Sequence, residues 1–281
     1  MSKSFKLIFK TFLWALGLAA AVLILMGGVY YLQTSRFDSS LVSSGEERGY
    51  LLHVPPGYDG SQPVPLVISI HGFAGWPGNQ SQISQWNQVA DETGFLVVYP
   101  HGTGFPPRWR VGFQPGAELD IQFLTDLIDT LEASYNIDPL RIYVNGISNG
   151  GGMSFALFCK LSNRIAAFGS VAGAYLLPWE DCKPSRPVPA MLFHGTADAI
   201  VPYNGGPSRH FDLPFPQIPA WAAELARRNG CGMQENLPAQ GDVRGVRYSG
   251  CAEDAEVIFY TIEGGGHSWP GGGWLPRVIV G

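Results

Sequence analysis

Short runs of apolar residues alternate with amphipathic segments along most of this chain. Runs of this length and composition are typical of strands buried inside a sheet. They predict strands at residues 49–54, 65–70, 95–99, 141–144, 166–172, 189–194 and 256–262.

The segments between these runs carry a helical pattern. Residues 120–135 place Ile121, Leu124 and Ile128 close to helical spacing, so this helix is expected to bury one face. Further helices are predicted near residues 85–93, 151–161 and 219–230. Strands that alternate with helices predict the α/β fold class, a mostly parallel sheet with helices on both faces. Ligands of such sheets bind beyond the carboxyl ends of the strands.

An uncharged apolar stretch at residues 12–32 follows Lys3, Lys6 and Lys10. About 20 apolar residues are enough to cross a bilayer as a helix, and lysines on the leading side predict a cytoplasmic N-terminus with the remainder outside. A cleaved signal peptide is the alternative, but its apolar region is usually roughly 7 to 15 residues and ends in a small-x-small site. The longer stretch favours an uncleaved signal anchor over residues 1–32.

The chain after this anchor divides into a linker and one domain. Residues 33–48 are polar and serine-rich, a composition typical of linkers. The domain is predicted over residues 49–281. Hydrophobic residues make up 46% of the sequence and charged residues 15%, which indicates a globular protein rather than a disordered one.

The charge pattern argues against nucleic acid as a partner. The formal net charge is -5, and no cluster of Lys and Arg follows residue 10 that could neutralise phosphates. The glycine runs at 150–152, 264–266 and 271–273 lack the spacing of loops that bind phosphates or dinucleotides.

The four cysteines of the chain are predicted to lie outside the cytoplasm, where disulfides form. Four cysteines allow three pairings. Proximity in sequence favours Cys159 with Cys182 and Cys231 with Cys251, and each bond would stabilise the fold by about 3 kcal/mol. Four buried free thiols are the alternative, and a metal site is disfavoured because no CxxC or HxxxH spacing occurs.

The stretch Gly146-Ile147-Ser148-Asn149-Gly150 fits the G-x-S-x-G nucleophile elbow and lies between a predicted strand and a predicted helix. The turn is so sharp that side chains two residues before and after the serine would collide, so both positions require glycine. The amides at the start of the helix face the charge that develops during attack. Ser148 is therefore the predicted nucleophile, and a flexible glycine-rich loop is the alternative.

A serine hydroxyl needs a base, and in this architecture the chain order is serine, acid, histidine. His194, His210 and His267 follow Ser148. His267 lies on a glycine-flanked loop just after the last predicted strand and is the predicted base. We interpret His194, at the end of its own strand, as holding a turn, and His210 falls in a proline-rich segment.

The acid is expected on the loop that leaves the preceding strand. Asp198 directly follows strand 189–194, in HGTADAIVP, and is the predicted acid. A turn-capping aspartate is the alternative role for this residue. The competing acids are Glu180, Asp181, Asp254 and Glu263.

Acyl transfer also needs two donors to the developing oxyanion. The backbone amide of Asn149, directly after the nucleophile, is the first. The second is expected from the loop after an early strand, and LVISIHGFAG puts the amide of Phe73 there.

A family resemblance joins these motifs. The chain contains HGFAG, WNQVADETGFLVVYPHG, DIQFLTDLIDTL, IDPLRIYVNGISNGGGM, HGTADAIVPY and GGGHSWPGG. Over roughly residues 50–276 it resembles the poly(3-hydroxybutyrate) depolymerase and feruloyl esterase family, which are carbohydrate esterases of the α/β-hydrolase fold. The resemblance implies Ser148, Asp198 and His267 as nucleophile, acid and base. It also implies both disulfides.

Members of this family usually continue past the histidine loop into a final helix that packs on the sheet. The sequence stops at Gly281, after GGGWLPRVIVG. A C-terminally truncated α/β-hydrolase domain that lacks the final helix is therefore expected.

Three tryptophans near these motifs could form an aromatic wall for an aryl or sugar ring. They are Trp269 beside His267, Trp76 after the oxyanion loop and Trp109 in the long loop after strand 95–99. The alternative for these residues is burial as packing side chains.

These features predict an extracytoplasmic serine esterase, anchored to the membrane by its N-terminal helix or secreted. It would hydrolyse carboxylic esters through an acyl-enzyme, with no metal or cofactor. The resemblance implies feruloyl, acetyl-polysaccharide or hydroxyalkanoate esters, and hence plant polysaccharides or polyester oligomers as partners. An acyltransferase and an inactive, membrane-anchored binding protein of hydrolase fold are the alternatives.

Overall fold

The computed structural model describes residues 3–112, 114–207 and 214–272. The chain divides into two compact units, Met1–Arg36 and Phe37–Gly281. The first unit is formed by helix α1 (Lys3–Thr34). Its portion Phe9–Thr34 has a mean hydropathy of 2.3 and is long and apolar enough to cross a membrane, a test that a signal sequence passes as well.

The second unit is built on a large sheet. Its strands, with a small separate pair, are β1 (Ser39–Ser43), β2 (Glu46–His53), β3 (Val64–Ile70), β4 (Leu96–Pro100), β5 (Ile137–Ile147), β6 (Ala167–Val171), β7 (Ala190–Gly195), β8 (Gly206–Pro207), β9 (Pro214–Phe215), β10 (Met233–Gln240), β11 (Val243–Ser249) and β12 (Val257–Ile262). The order across the large sheet is β1-β2-β4-β3-β5-β6-β7-β12-β11-β10, and β8 pairs with β9. The central strands from β4 to β12 run parallel, and antiparallel pairs flank them on both sides.

Helices cover both faces of this sheet. They are α2 (Pro77–Ser84), α3 (Trp86–Thr93), α4 (Ala117–Ser134), α5 (Asn149–Leu161) and α6 (Ile218–Arg228). Because side chains alternate along a strand, Leu66 and Ile68 of β3 enter the main core, which α4, α5 and α6 complete. Val67 lies on the opposite face and packs in a smaller cluster with Ala90 of α3.

An open apolar cavity of about 590 Å³ lies on this second face. Side chains from β3, β5, β6 and β7 form its floor, with Trp86 and Val89 of α3 and Trp269 at its sides. Ser148, Asp198 and His267 are not among its lining residues. None of the three predicted catalytic residues therefore lines the cavity, whereas Trp269, a predicted substrate contact, does.

The predicted fold class is confirmed, and each predicted strand and helix has a counterpart within a few residues. The prediction of a linker over residues 33–48 was wrong for residues 39–48, which form β1 and the start of β2. A strand at a sheet edge exposes one face to solvent, so its polar composition resembled that of a linker. Val42, for example, is 73% exposed, whereas Leu41 packs on the core.

The hairpin of β10 and β11 was not predicted. Its side chains are mostly exposed at the far edge of the sheet, and the pattern MQENLPAQ has no apolar alternation. Strand pairing holds the hairpin in place, because β11 pairs with β12 along its length. The expectation of a missing final helix concerns residues 273–281, which lie outside the described residues.

Two disulfides cross-link the domain, Cys159 to Cys182 and Cys231 to Cys251. This is the pairing that proximity in sequence favours. The first ties the last turn of α5 to the loop before β7, and the second ties the end of the α6 region to the end of β11. Both lie away from the sheet edge at which Ser148 sits, so they stabilise the scaffold rather than the site.

Candidate active site

Ser148 occupies a sharp turn between β5 and α5. Its backbone has φ 57° and ψ -119°, a combination that a residue with a side chain adopts only under strain of about 1–3 kcal/mol. Hydrogen bonds hold the turn, because the Ser148 amide donates to Val171 O over 2.9 Å and the Ser148 carbonyl accepts from Gly152 and Ala174. The strained serine is thereby fixed at the carboxyl end of a central strand.

Two glycines make this turn possible. A Cβ atom at Gly146 would overlap the backbone of Gly150, and a Cβ atom at Gly150 would overlap the carbonyl oxygens of Ile70 and His71. The second contact was not apparent from the motif. It shows that Gly150 also lets α5 approach the end of β3.

His267 and Asp198 form a hydrogen-bonded pair beside this turn. The His267 Nδ1 atom lies 2.8 Å from Asp198 Oδ2. The side chain of Asp198 is fully buried and that of His267 is 10% exposed. Asp198 follows β7 and His267 follows β12, two neighbouring parallel strands, so both loops leave the same edge of the sheet as Ser148.

The loops that carry these two residues are tied to each other. The Ala197 amide donates to Gly265 O over 2.9 Å, and the Gly264 amide donates to Thr196 Oγ1 over 2.8 Å. Trp269 packs against the cluster of Ile147, Val171 and Ala172, in which Ile147 directly precedes Ser148. Among the described side chains, no hydrogen bond joins Ser148 Oγ to His267. Catalytic hydrogen bonds are often long in a free enzyme and shorten when substrate binds.

The environment of Asp198 keeps its carboxylate ionised. Burial by itself raises the pKa of a carboxyl group, but hydrogen bonds from His194 and His267 outweigh it and hold the pKa of Asp198 well below its ordinary value. The Ile200 and Val201 amides also donate to Oδ1, over 2.9 and 2.8 Å. An ionised Asp198 can fix the tautomer and orientation of His267.

His194 behaves as the sequence suggested, since it holds the Asp198 turn. Its Nε2 atom lies 2.9 Å from Val201 O and 3.3 Å from Asp198 Oδ2. The other candidate histidine, His210, lies outside the described residues. Among the residues the structure describes, no group of three or more His, Cys, Asp and Glu side chains could hold a metal ion.

The loop after β3 presents the amide of Phe73. His71 Nε2 accepts from the Gly102 amide over 3.0 Å, so Nδ1 carries the hydrogen and donates to Gly72 O over 2.7 Å. The Gly75 amide donates to the same carbonyl. Within one peptide unit the C=O and N–H point in opposite directions. The hydrogen bonds that fix the direction of Gly72 O therefore make the Phe73 N–H point in the opposite direction.

Asn149 has a role that the motif did not reveal. Its side chain accepts from the Trp109 amide over 2.7 Å and donates to Trp109 O over 3.0 Å. The Trp109 indole in turn donates to His71 O over 3.0 Å. These bonds fix the long loop after β4 between the Ser148 turn and the loop after β3. In the sequence, the only sign of this role is a polar residue at the start of a predicted helix.

A buried carboxylate anchors the same long loop. Asp120 of α4 is fully buried and pairs with Arg48 and Arg110, at 3.0 and 2.8 Å. It also accepts from the Arg110 backbone amide over 2.8 Å. The sequence pattern identifies Asp120 only as part of a helix, because its arginine partners lie on β2 and on the loop.

The three tryptophans differ in their surroundings. The prediction of a substrate contact was wrong for Trp109, whose side chain is completely buried and stacks on Phe123. Trp76 is half-buried and stacks on His101 at 5.1 Å. Trp269 is half-buried and packs against the cluster that contains Ile147. The substrate roles of Trp76 and Trp269 stay predictions.

The buried ring of His71 should make stability depend on pH. Burial lowers the pKa of His71 from 6.5 to about 4. Between these values the unfolded chain binds a proton that the folded chain does not, so the free energy of unfolding falls as the pH drops from 6.5 towards 4, by up to about 1.4 kcal/mol per unit. Urea unfolding at pH 7, 6 and 5 measures this loss.

The matched variant is His71→Asn, which removes the titrating ring and can keep a donor near Gly72 O. It is expected to lose less stability between pH 7 and 5 than the wild type. His53→Asn, at a partly exposed histidine paired with Asp91, serves as the control and is expected to retain the wild-type dependence. Equal pH dependence in His71→Asn and wild type would contradict the assignment.

Comparison with known proteins finds esterases similar to this chain. A family model described as Esterase PHB depolymerase matches residues 48–178. Feruloyl esterase B of Piromyces equi is 32% identical over 237 residues, which cover 81% of this chain and 44% of that protein. The putative esterase NocK of Nocardia uniformis subsp. tsuyamanensis is 28% identical over 262 residues, which cover 85% of this chain and 76% of that protein.

A solved structure shares the fold. The acetyl xylan esterase from Aspergillus awamori superposes with a TM-score of 0.58 at 16% identity, over 79% of this chain and 90% of that one. At this level of identity the likeness concerns the fold alone. The family-model match over residues 48–178 and this shared α/β-hydrolase fold both agree with a resemblance to the PHB depolymerase esterases.

Proposed function

We propose that this protein is a serine esterase that hydrolyses carboxylic esters through an acyl-enzyme. The observation that carries the proposal is the 2.8 Å bond between His267 and Asp198, on loops at the same sheet edge as the strained Ser148. A strained serine beside a histidine oriented by a buried carboxylate matches the requirements of nucleophilic acyl transfer.

In the proposed reaction, Ser148 Oγ attacks the carbonyl carbon of the ester and passes its proton to His267 Nε2. Asp198 stabilises the imidazolium that forms. The Phe73 and Asn149 amides donate to the oxyanion, and loss of one such donor typically costs about 10²- to 10³-fold in rate. His267 then returns the proton to the leaving alcohol, and a water molecule repeats the sequence to release the acid.

The substrate class follows from the relatives, whose names include feruloyl esterase and acetylxylan esterase. We propose ester groups on plant polysaccharide as substrates, with hydroxyalkanoate oligomers as the second class because of the description of the family model. The two disulfides and the apolar helix α1 support an extracytoplasmic location, either anchored or secreted.

A substrate panel on the full chain tests this proposal. Methyl ferulate, acetylated xylan and 3-hydroxybutyrate oligomers are compared by kcat/KM, with a chromogenic butyrate ester as the general probe. Turnover of the chromogenic ester and of at least one panel member is expected. Absence of turnover for every substrate would contradict the esterase proposal and favour a binding protein of hydrolase fold.

A further inference from the structure

A second histidine contacts the acid of the proposed triad. His194 ends β7 and is 2% exposed. Its Nε2 atom lies 2.9 Å from Val201 O and 3.3 Å from Asp198 Oδ2. Asp198 Oδ2 is also the atom that accepts from His267 Nδ1. One carboxylate oxygen therefore faces two histidines.

The contacts of His194 determine its tautomer. A carbonyl oxygen only accepts hydrogen bonds, so Nε2 must carry the hydrogen that it shares between Val201 O and Asp198 Oδ2. Its Nδ1 atom is buried and has no hydrogen-bond partner among the described residues. A hydrogen on Nδ1 would leave a buried N–H unpaired, which is costly. The contacts therefore place the His194 hydrogen on Nε2.

We infer that His194 is a positioning residue that sets the proton affinity of the Asp198–His267 pair. This inference rests on the proposed esterase function. The His194 N–H donates to the same oxygen that stabilises the His267 imidazolium, and the positive end of its dipole points towards that charge. Both effects disfavour the protonated form of His267, which keeps the base free at lower pH.

The other groups around His194 do not supply this effect. The Tyr203 ring lies 6.1 Å from the His194 ring, and its hydroxyl pairs with Thr261 Oγ1. The Ile200 and Val201 amides donate to Oδ1 of Asp198, not to Oδ2. Among the described side chains, the two that contact Asp198 Oδ2 are His194 and His267.

The test is the pH profile of kcat/KM for a chromogenic butyrate ester. His194→Met removes the donor at similar size and is expected to move the acid limb of the profile to higher pH, by about half a unit. His194→Gln retains a donor near the position of Nε2 and is expected to return the limb towards the wild-type position. His53→Met, at the exposed pair with Asp91, is expected to leave the limb unchanged.

A merely structural role for His194 would lower kcat in both variants without moving the limb, and that result would overturn the inference. If His194→Met does not fold, the wild-type chain labelled with ¹⁵N-histidine gives a second readout by NMR. The His194 ring is expected to carry its hydrogen on Nε2, with an unprotonated Nδ1. A ring with its hydrogen on Nδ1 would also overturn the inference.

These readouts separate the two proposals. Absence of Ser148-dependent turnover in the wild type would defeat the esterase function, whereas the NMR signature of a His194 hydrogen on Nε2 does not depend on activity. Normal turnover with an unshifted His194→Met profile would defeat the inference alone.

Discussion

The Ser148→Ala variant is expected to lose at least about 10⁴-fold in kcat/KM towards a chromogenic butyrate ester. The substitution removes the only atom that can form the acyl-enzyme in the proposed mechanism, while the oxyanion donors stay in place. Alanine also fits the backbone of the turn no worse than serine does. The loss should therefore appear in kcat, with a thermal unfolding midpoint close to that of the wild type.

Ser162→Ala is a suitable control for this experiment. Ser162 ends the same helix, and its hydroxyl contacts Ser185 at the opposite edge of the sheet. Loss of the Ser162 hydroxyl should lower the free energy of unfolding slightly and change kcat/KM by less than about twofold, because its hydrogen bonds lie far from the site. Turnover that survives in Ser148→Ala would contradict the assignment of the nucleophile.

The Asp198→Asn variant is expected to lose about 10³- to 10⁴-fold in kcat. An amide that donates to His267 Nδ1 would favour the wrong tautomer, with the ring hydrogen on Nε2, the atom that must accept the proton of Ser148. The backbone amides of Ile200 and Val201 can still donate to the remaining carbonyl oxygen. The loss in kcat, expressed as a free energy, should therefore exceed the loss in the free energy of unfolding. Steady-state kinetics measures the first quantity, and thermal unfolding measures the second.

The competing acids provide the matched controls. Asp254→Asn and Glu263→Gln change carboxylates near β12 that are not bonded to His267 among the described contacts. Both should retain kcat within about twofold, as is usual for surface substitutions away from a site. A loss in either variant that equals the loss in Asp198→Asn would contradict the choice of acid.

Much of the site could be predicted from sequence because its parts are encoded locally. The elbow is a five-residue pattern between a strand and a helix, and chain order then favours Asp198 and His267. The same reasoning failed for Trp109, because burial of a side chain depends on distant segments. It also missed β1 and the β10–β11 hairpin, whose polar edge strands carry no apolar alternation.

The networks behind the site lay beyond any local pattern. Asn149 bonds to Trp109 forty residues earlier, Asp120 pairs with Arg48 across 72 positions, and His71 holds Gly102 across 31. Each contact joins segments that meet only after the sheet has formed. A motif can specify which residue stands at a turn, but not which distant donor will face it.

The sequence by itself determined the α/β class, the strand and helix order, and the candidate nucleophile, acid and base, since periodicity and turn chemistry act over a few residues. Only the tertiary structure decided that His267 bonds Asp198 and that His194 shares the same oxygen. It also decided that the Gly72–Phe73 peptide is turned by His71. The physical reason is that hydrogen bonds require distances near 3 Å, and the parallel strand order brings these loops to one edge of the sheet.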